Sequence, residues 1–116
     1  MHELEEKIKS IILELASEDS YGSWELWGAA RQDTSQMRPK EEDLRKVFLS
    51  IIENLVQEKK LLTESHKLNG PYIPIEYSKQ RMEYEMDHAG EPDSETFYHF
   101  WTTDEGKKED IILRSK

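Results

Sequence analysis

Leu4, Ile8, Ile11, Ile12 and Leu15 recur at steps of three and four, with Glu5, Glu6, Lys7, Lys9 and Glu14 set between them. That spacing predicts an amphipathic helix over residues 3–17. The run Ser17-Glu18-Asp19-Ser20-Tyr21-Gly22 breaks it, and Ser23 is expected to cap a second, short helix that ends near Arg31 or Gln32 and turns Trp24, Trp27 and Ala30 inward. After the turn-rich stretch from Asp33 to Pro39, the acids Glu41, Glu42 and Asp43 sit where negative charge favours a helix N-terminus. Leu44, Val47, Phe48, Ile51, Ile52, Leu55 and Val56 then form the clearest apolar stripe of the chain, closed by Glu58-Lys59-Lys60.

Past that third helix the pattern changes period. Leu61-Leu62-Thr63 reads as a short strand, and Asn69-Gly70-Pro71 as a turn. Pro74 is expected to open a fourth helix from Ile75 to His88, with Ile75, Met82 and Met86 at helical spacing. Ala89 to Glu95 reads as an acidic loop around Gly90 and Pro92. The aromatic and threonine-rich run from Thr96 to Thr102 suits a strand, and Thr103-Asp104-Glu105-Gly106 turns into a last helical turn ending in Ile111, Ile112 and Leu113. Gly106 is expected to take a left-handed backbone there.

This order of elements, with the end of the third helix at Glu53 to Lys60 running into Leu61-Leu62-Thr63 and the returning segment Phe100-Trp101-Thr102-Thr103-Asp104-Glu105-Gly106, resembles a winged-helix domain. The resemblance implies an α+β fold in a single domain spanning residues 1–116. Its three-helix, winged-helix-like core covers 3–63 and 96–113 with a small antiparallel sheet. Residues 64–95 form an acidic insertion that places an extra helix in the wing. If the chain read DNA as that family does, Arg38, Arg45, Lys46 and Asn54 would supply the contacts.

Charge argues against that use. The 116 residues carry a net charge of −9, so their field repels phosphate and attracts basic surfaces. Eight acids and three bases lie between Glu64 and Glu95, which makes the insertion the most acidic part of the chain. The bases Arg38, Lys40, Arg45 and Lys46 are each as readily partners for the adjacent acids on a solvated helix face. Cysteine is absent, which removes disulfides, thiolate metal sites and cysteine nucleophiles. His2, His66, His88 and His99 are too widely spaced for a zinc motif, and no phosphate loop, nucleophile elbow or calcium loop is found. No catalytic residue, cofactor or metal is therefore expected. The start of the chain lacks the basic and apolar regions of a signal peptide, and no apolar run is long enough for a bilayer span, so a cytoplasmic protein is expected.

In size, charge and lack of catalytic motifs the chain is similar to the small acidic immunity proteins of bacterial toxin systems. That likeness implies a non-enzymatic inhibitor that covers the cleft of a basic, nuclease-type partner. The residues expected to meet it are Glu83, Glu85, Asp87, Glu91, Asp93 and Glu95 for charge, with Tyr77, Tyr84 and Tyr98 as aromatic anchors. The oligomeric state is left open by the residues.

Overall fold

A computed structural model describes residues 2–65, 70–89, 91 and 96–115. Among them the elements follow the order α1 (His2–Glu18), β1 (Tyr21–Gly22), α2 (Ser23–Asp33), a 3₁₀ turn (Ser35–Met37), α3 (Glu41–Gln57), β2 (Leu61–Ser65), β3 (Ile73–Pro74), α4 (Lys79–Asp87), β4 (His99–Thr102) and α5 (Asp104–Arg114). The fold is α+β: five helices around one antiparallel sheet with strand order β1-β4-β2-β3. The register sets Leu61 opposite Thr102, Leu62 opposite Trp101, Thr63 opposite Phe100 and Glu64 opposite His99.

α1 is the middle of the core. It packs against α2 and α3 on one side and against α5 and β4 on the other, so Leu13 and Ala16 are buried along with Leu4, Ile8, Ile11 and Ile12. A helix covered from two sides buries a wider stripe than its amphipathic period suggests. α3 follows its stripe at Leu44, Val47, Phe48, Ile52 and Leu55, which are buried, while Ile51 and Val56 are half-buried and Leu49, outside the stripe, is buried as well. Its end is a Schellman closure, with Lys60 N–H donating to Leu55 O at 2.8 Å and Lys59 N–H to Val56 O at 3.1 Å. Lys59 stands at φ 60, in the left-handed position that glycine usually fills.

Between α2 and β4 four sequence-based expectations about the elements are corrected. Ser23 does not cap α2: Gly22 takes that position, its N–H donating to Glu25 Oε1 at 2.9 Å, and the Ser23 side chain is buried. Leu26 rather than Trp24 joins Trp27 and Ala30 in the core. The fourth helix starts at Lys79 instead of Ile75, because Ile73-Pro74 extends along β2 as an edge strand, where proline's missing N–H faces no partner. Ser78 then caps α4, its Oγ accepting from Arg81 N–H at 3.4 Å. β4 is shorter than the aromatic run because side chains claim the backbone before His99, as described below. Asn69 of the expected turn and residues 90 and 92–95 of the expected loop lie outside the described residues, as does His66.

α5 is a full eleven-residue helix. Thr103 caps it, accepting from Gly106 N–H at 3.2 Å, and Thr103 Oγ1 donates to Lys59 O at 2.6 Å. Gly106 lies in the first turn of this helix, so its role is closeness, not left-handedness: a Cβ there would stand 2.1 Å from Lys60 O, itself bonded to Thr103 N–H. Gly106→Ala is therefore expected to lower the unfolding free energy by about 1–3 kcal/mol, and Gly106→Val by more. Alanine at this position with the parent's thermal midpoint would remove the close-approach argument.

Charge ties the same helix to the core. Glu109 of α5 pairs with Lys9 of α1 at 2.5 Å and with Lys60 at 3.6 Å. The hydrogen bond from Lys9 holds the Glu109 carboxyl below its ordinary range, against an opposing effect of burial. A carboxyl depressed in the folded state contributes stability that is present above its unfolded pKa and is lost as pH falls through the folded one. Glu109→Gln should accordingly weaken the fold by about 0.5–1 kcal/mol near neutral pH and leave it equal to the parent in acid. Urea melts across the acid range check this, and a constant gap between the two proteins would contradict it.

Candidate partner-binding surface

The segment between β2 and β4 is fastened to the core through one buried carboxylate, whose ion-pair partner Arg81 is 40% exposed. Glu85 of α4 is 1% exposed. Its Oε1 accepts from Ser23 Oγ at 2.6 Å and from the backbone N–H of Tyr98 at 2.9 Å, and its Oε2 accepts from Arg81 Nε at 2.9 Å. Arg81 also donates to Ser65 Oγ at 3.2 Å and to Thr96 O at 2.9 Å, and its guanidinium lies 4.4 Å from the centre of the Tyr98 ring. Ser23 N–H donates to Tyr98 O at 2.9 Å. These bonds occupy the backbone of residues 96–98 and so delay the start of β4. A buried carboxylate with every contact made is tolerable, whereas one stripped of partners is not.

Packing completes the seat of α4. Met82 and Met86 are buried, and the helix lies against both α2 and α3. At its outer end Arg45 of α3 grips Asp87 through two bonds of 2.8 and 3.3 Å and donates to Glu83 O at 3.2 Å.

The expected partner-facing residues are thereby separated. Glu85 and Tyr98, each 1% exposed, are corrected to interior residues: one is the acceptor of the ion pair, the other sits beneath Arg81 with its hydroxyl accepting from Ser78 N–H and donating to Glu76 O. Burial pushes the Tyr98 phenol up, while the Ser78 bond and Arg81 oppose it. Tyr77 is half-buried and stacked on Tyr98 at 5.8 Å. Glu83 is half-buried, Asp87 is exposed but held by Arg45, and Glu91 and Tyr84 are exposed. Asp93 and Glu95 lie outside the described residues.

Around Tyr84 the structure assembles a ribbon of rings that the periodicity did not single out. His88 stacks on Tyr84 at 3.9 Å, Tyr84 meets Phe97 at 6.1 Å, and Phe97 meets Trp24 at 6.1 Å. Trp24 meets His99 at 5.4 Å and His99 meets Tyr72 at 4.7 Å. Phe97 and His99 are buried beneath the ribbon, Trp24 is half-buried, and the two ends stand out, with Tyr84 47% and Tyr72 45% exposed. His99 and Trp101 share a face of β4, so the ribbon continues onto the exposed cross-strand pair Leu62 and Trp101. Glu64 stands opposite His99, and exposed Glu91 is tied to the His88 end, its N–H donating to His88 O at 3.2 Å.

The four candidate DNA contacts do not form one face. Arg45 and Asn54 lie nine positions apart on α3, which at roughly 100° per residue sets them on opposite sides. Arg45 faces α4, while Asn54 lines a groove with Lys9 and Glu58. Arg38 and Lys46 are exposed. Among the described residues no group of three or more His, Asp or Glu is placed to hold a metal ion, and no helix is long and apolar enough to cross a membrane. Comparison of the chain with protein-family models, with curated proteins and with solved structures found no match.

Proposed function

We propose that this chain is a non-enzymatic, cytoplasmic protein-binding module, an acidic inhibitor of the immunity-protein kind that covers the functional cleft of a basic, nuclease-type partner. The observation that carries the reading is the ring ribbon with exposed tyrosines at both ends and carboxylates beside it. Rigid aromatic anchors supply affinity at low entropic cost, and acids around them select and steer a basic surface. The net charge of −9 supports the same partner chemistry.

A winged-helix-like scaffold is part of this proposal. It is supported by the order α1-β1-α2-α3-β2 and by β4 lying between β1 and β2. The DNA-binding alternative is disfavoured by the capture of Arg45 by Asp87 and by the placement of Arg45 and Asn54 on opposite sides of α3.

The test starts from cross-linking at low salt in the cell of origin, with the captured partner identified and purified. The proposal expects a basic partner whose activity disappears at equimolar inhibitor. An acidic partner, or a nuclease left fully active, would end it. A gel shift with duplex DNA at about 50 mM salt, where phosphate contacts are strongest, is expected to show no complex.

A further inference from the structure

We propose that the groove between the C-terminal half of α3, β2 and residues 75–79 is a binding site for a small uncharged amphiphile, an apolar or aromatic body carrying one amide or alcohol head. The groove borders the ring ribbon at Leu62 but uses none of its rings. Its volume is about 900 Å³, the size of a small-molecule pocket, and Val56, Leu61 and Ile75 give it apolar walls.

Two hydroxyls at this groove define the head group. Among the described residues four buried side-chain oxygens make no hydrogen bond, and two of them, Thr63 Oγ1 and Tyr77 Oη, belong to residues that line it. Thr63 is 3% exposed, on the inward face of β2. A buried hydroxyl left without a partner destabilises the fold, so two at one groove ask for a common ligand. Burial, with Glu53 adding to it, pushes the Tyr77 phenol up, so it keeps its proton and can donate. Thr63 can donate or accept.

The charge of the ligand follows from desolvation. Lys59 and Lys79 at the groove are matched by Glu53 and Glu76, so the lining favours neither sign. A charged head would leave water for two neutral hydroxyls, which do not repay the loss of its hydration; an amide or alcohol would be repaid. Both oxygens are closed to bulk water, so the head reaches them as the irregular strap 75–78 shifts outward. That strap is held by Ile75 N–H to Thr63 O at 3.0 Å and Ser78 N–H to Tyr98 Oη at 2.9 Å.

The experiment is a ¹⁵N chemical-shift titration of the whole chain with benzamide, benzoate and benzylammonium. Benzamide is expected to move the amides of Thr63, Ile75 and Tyr77, and the two charged analogues to bind at least roughly tenfold more weakly. Thr63→Val and Tyr77→Phe should each weaken benzamide roughly tenfold or more while melting no lower than the parent, because each removes an unpaired hydroxyl. Groove amides that stay still, a charged analogue that binds as well, or a variant that binds benzamide like the parent would each overturn the proposal. A variant that melts lower or fails to fold would also overturn it, since its hydroxyl would then be satisfied within the fold.

Discussion

Replacing Glu85 by alanine is expected to lower the unfolding free energy by about 2–4 kcal/mol, chiefly the cost of leaving two buried donors without an acceptor, since Arg81 keeps 40% of its side chain in solvent. Three donors lose their acceptor at once: Ser23 Oγ, Tyr98 N–H and Arg81 Nε. Ser23 and Tyr98 are themselves buried, so neither donor recovers a bond to water without local opening. Glu85→Gln keeps an oxygen in reach of Ser23 and Tyr98 but no charge for Arg81, and should fall between the alanine variant and the parent. Urea unfolding measures both. A smaller denaturant slope in the alanine variant would mean that α4 leaves its seat before the rest unfolds. A loss under about 1 kcal/mol with an unchanged slope would show that Met82 and Met86 seat α4 without the ion pair.

This interior role is what charge patterning alone could not reveal. Glu83, Glu85 and Asp87 look alike in sequence, three carboxylates on one short helix, yet only Glu85 turns inward. Its acceptor role depends on Ser23, 62 positions away, and on the backbone of Tyr98. By contrast α3 was legible in extent and in its main stripe, and the buried Leu49 outside that stripe reflects the packing of α4 on a further side. α1 was legible in extent but not in breadth, since α5 covers a second face that its own sequence does not advertise. The start of α4 was misplaced for a related reason. Proline suits both the first turn of a helix and a sheet edge, and pairing with Ser65 and Glu64 across β2 decides for the edge. The aromatic ribbon joins residues from α2, α4, the approach to β3 and β4, so no local period could display it.

Because Asp87 is needed by Arg45, the acids to test as a docking edge are Glu64 and Glu91. Changing both to lysine alters the local field by four charges without touching the ion pair at Glu85. If a basic partner approaches along the ribbon, its association rate at low ionic strength should fall by about a hundredfold, within the range by which steering accelerates encounter. The effect should shrink as salt rises, since at physiological ionic strength exposed charges are screened beyond about 8 Å. Tyr72→Ala and Tyr84→Ala should act on the other rate constant. Each removes an exposed ring at one end of the ribbon and should cost about 2 kcal/mol of affinity, seen chiefly as faster dissociation. Stopped-flow association and surface-based dissociation separate the two effects. A partner whose association ignored the double reversal, and whose dissociation ignored both tyrosines, would bind elsewhere on the molecule.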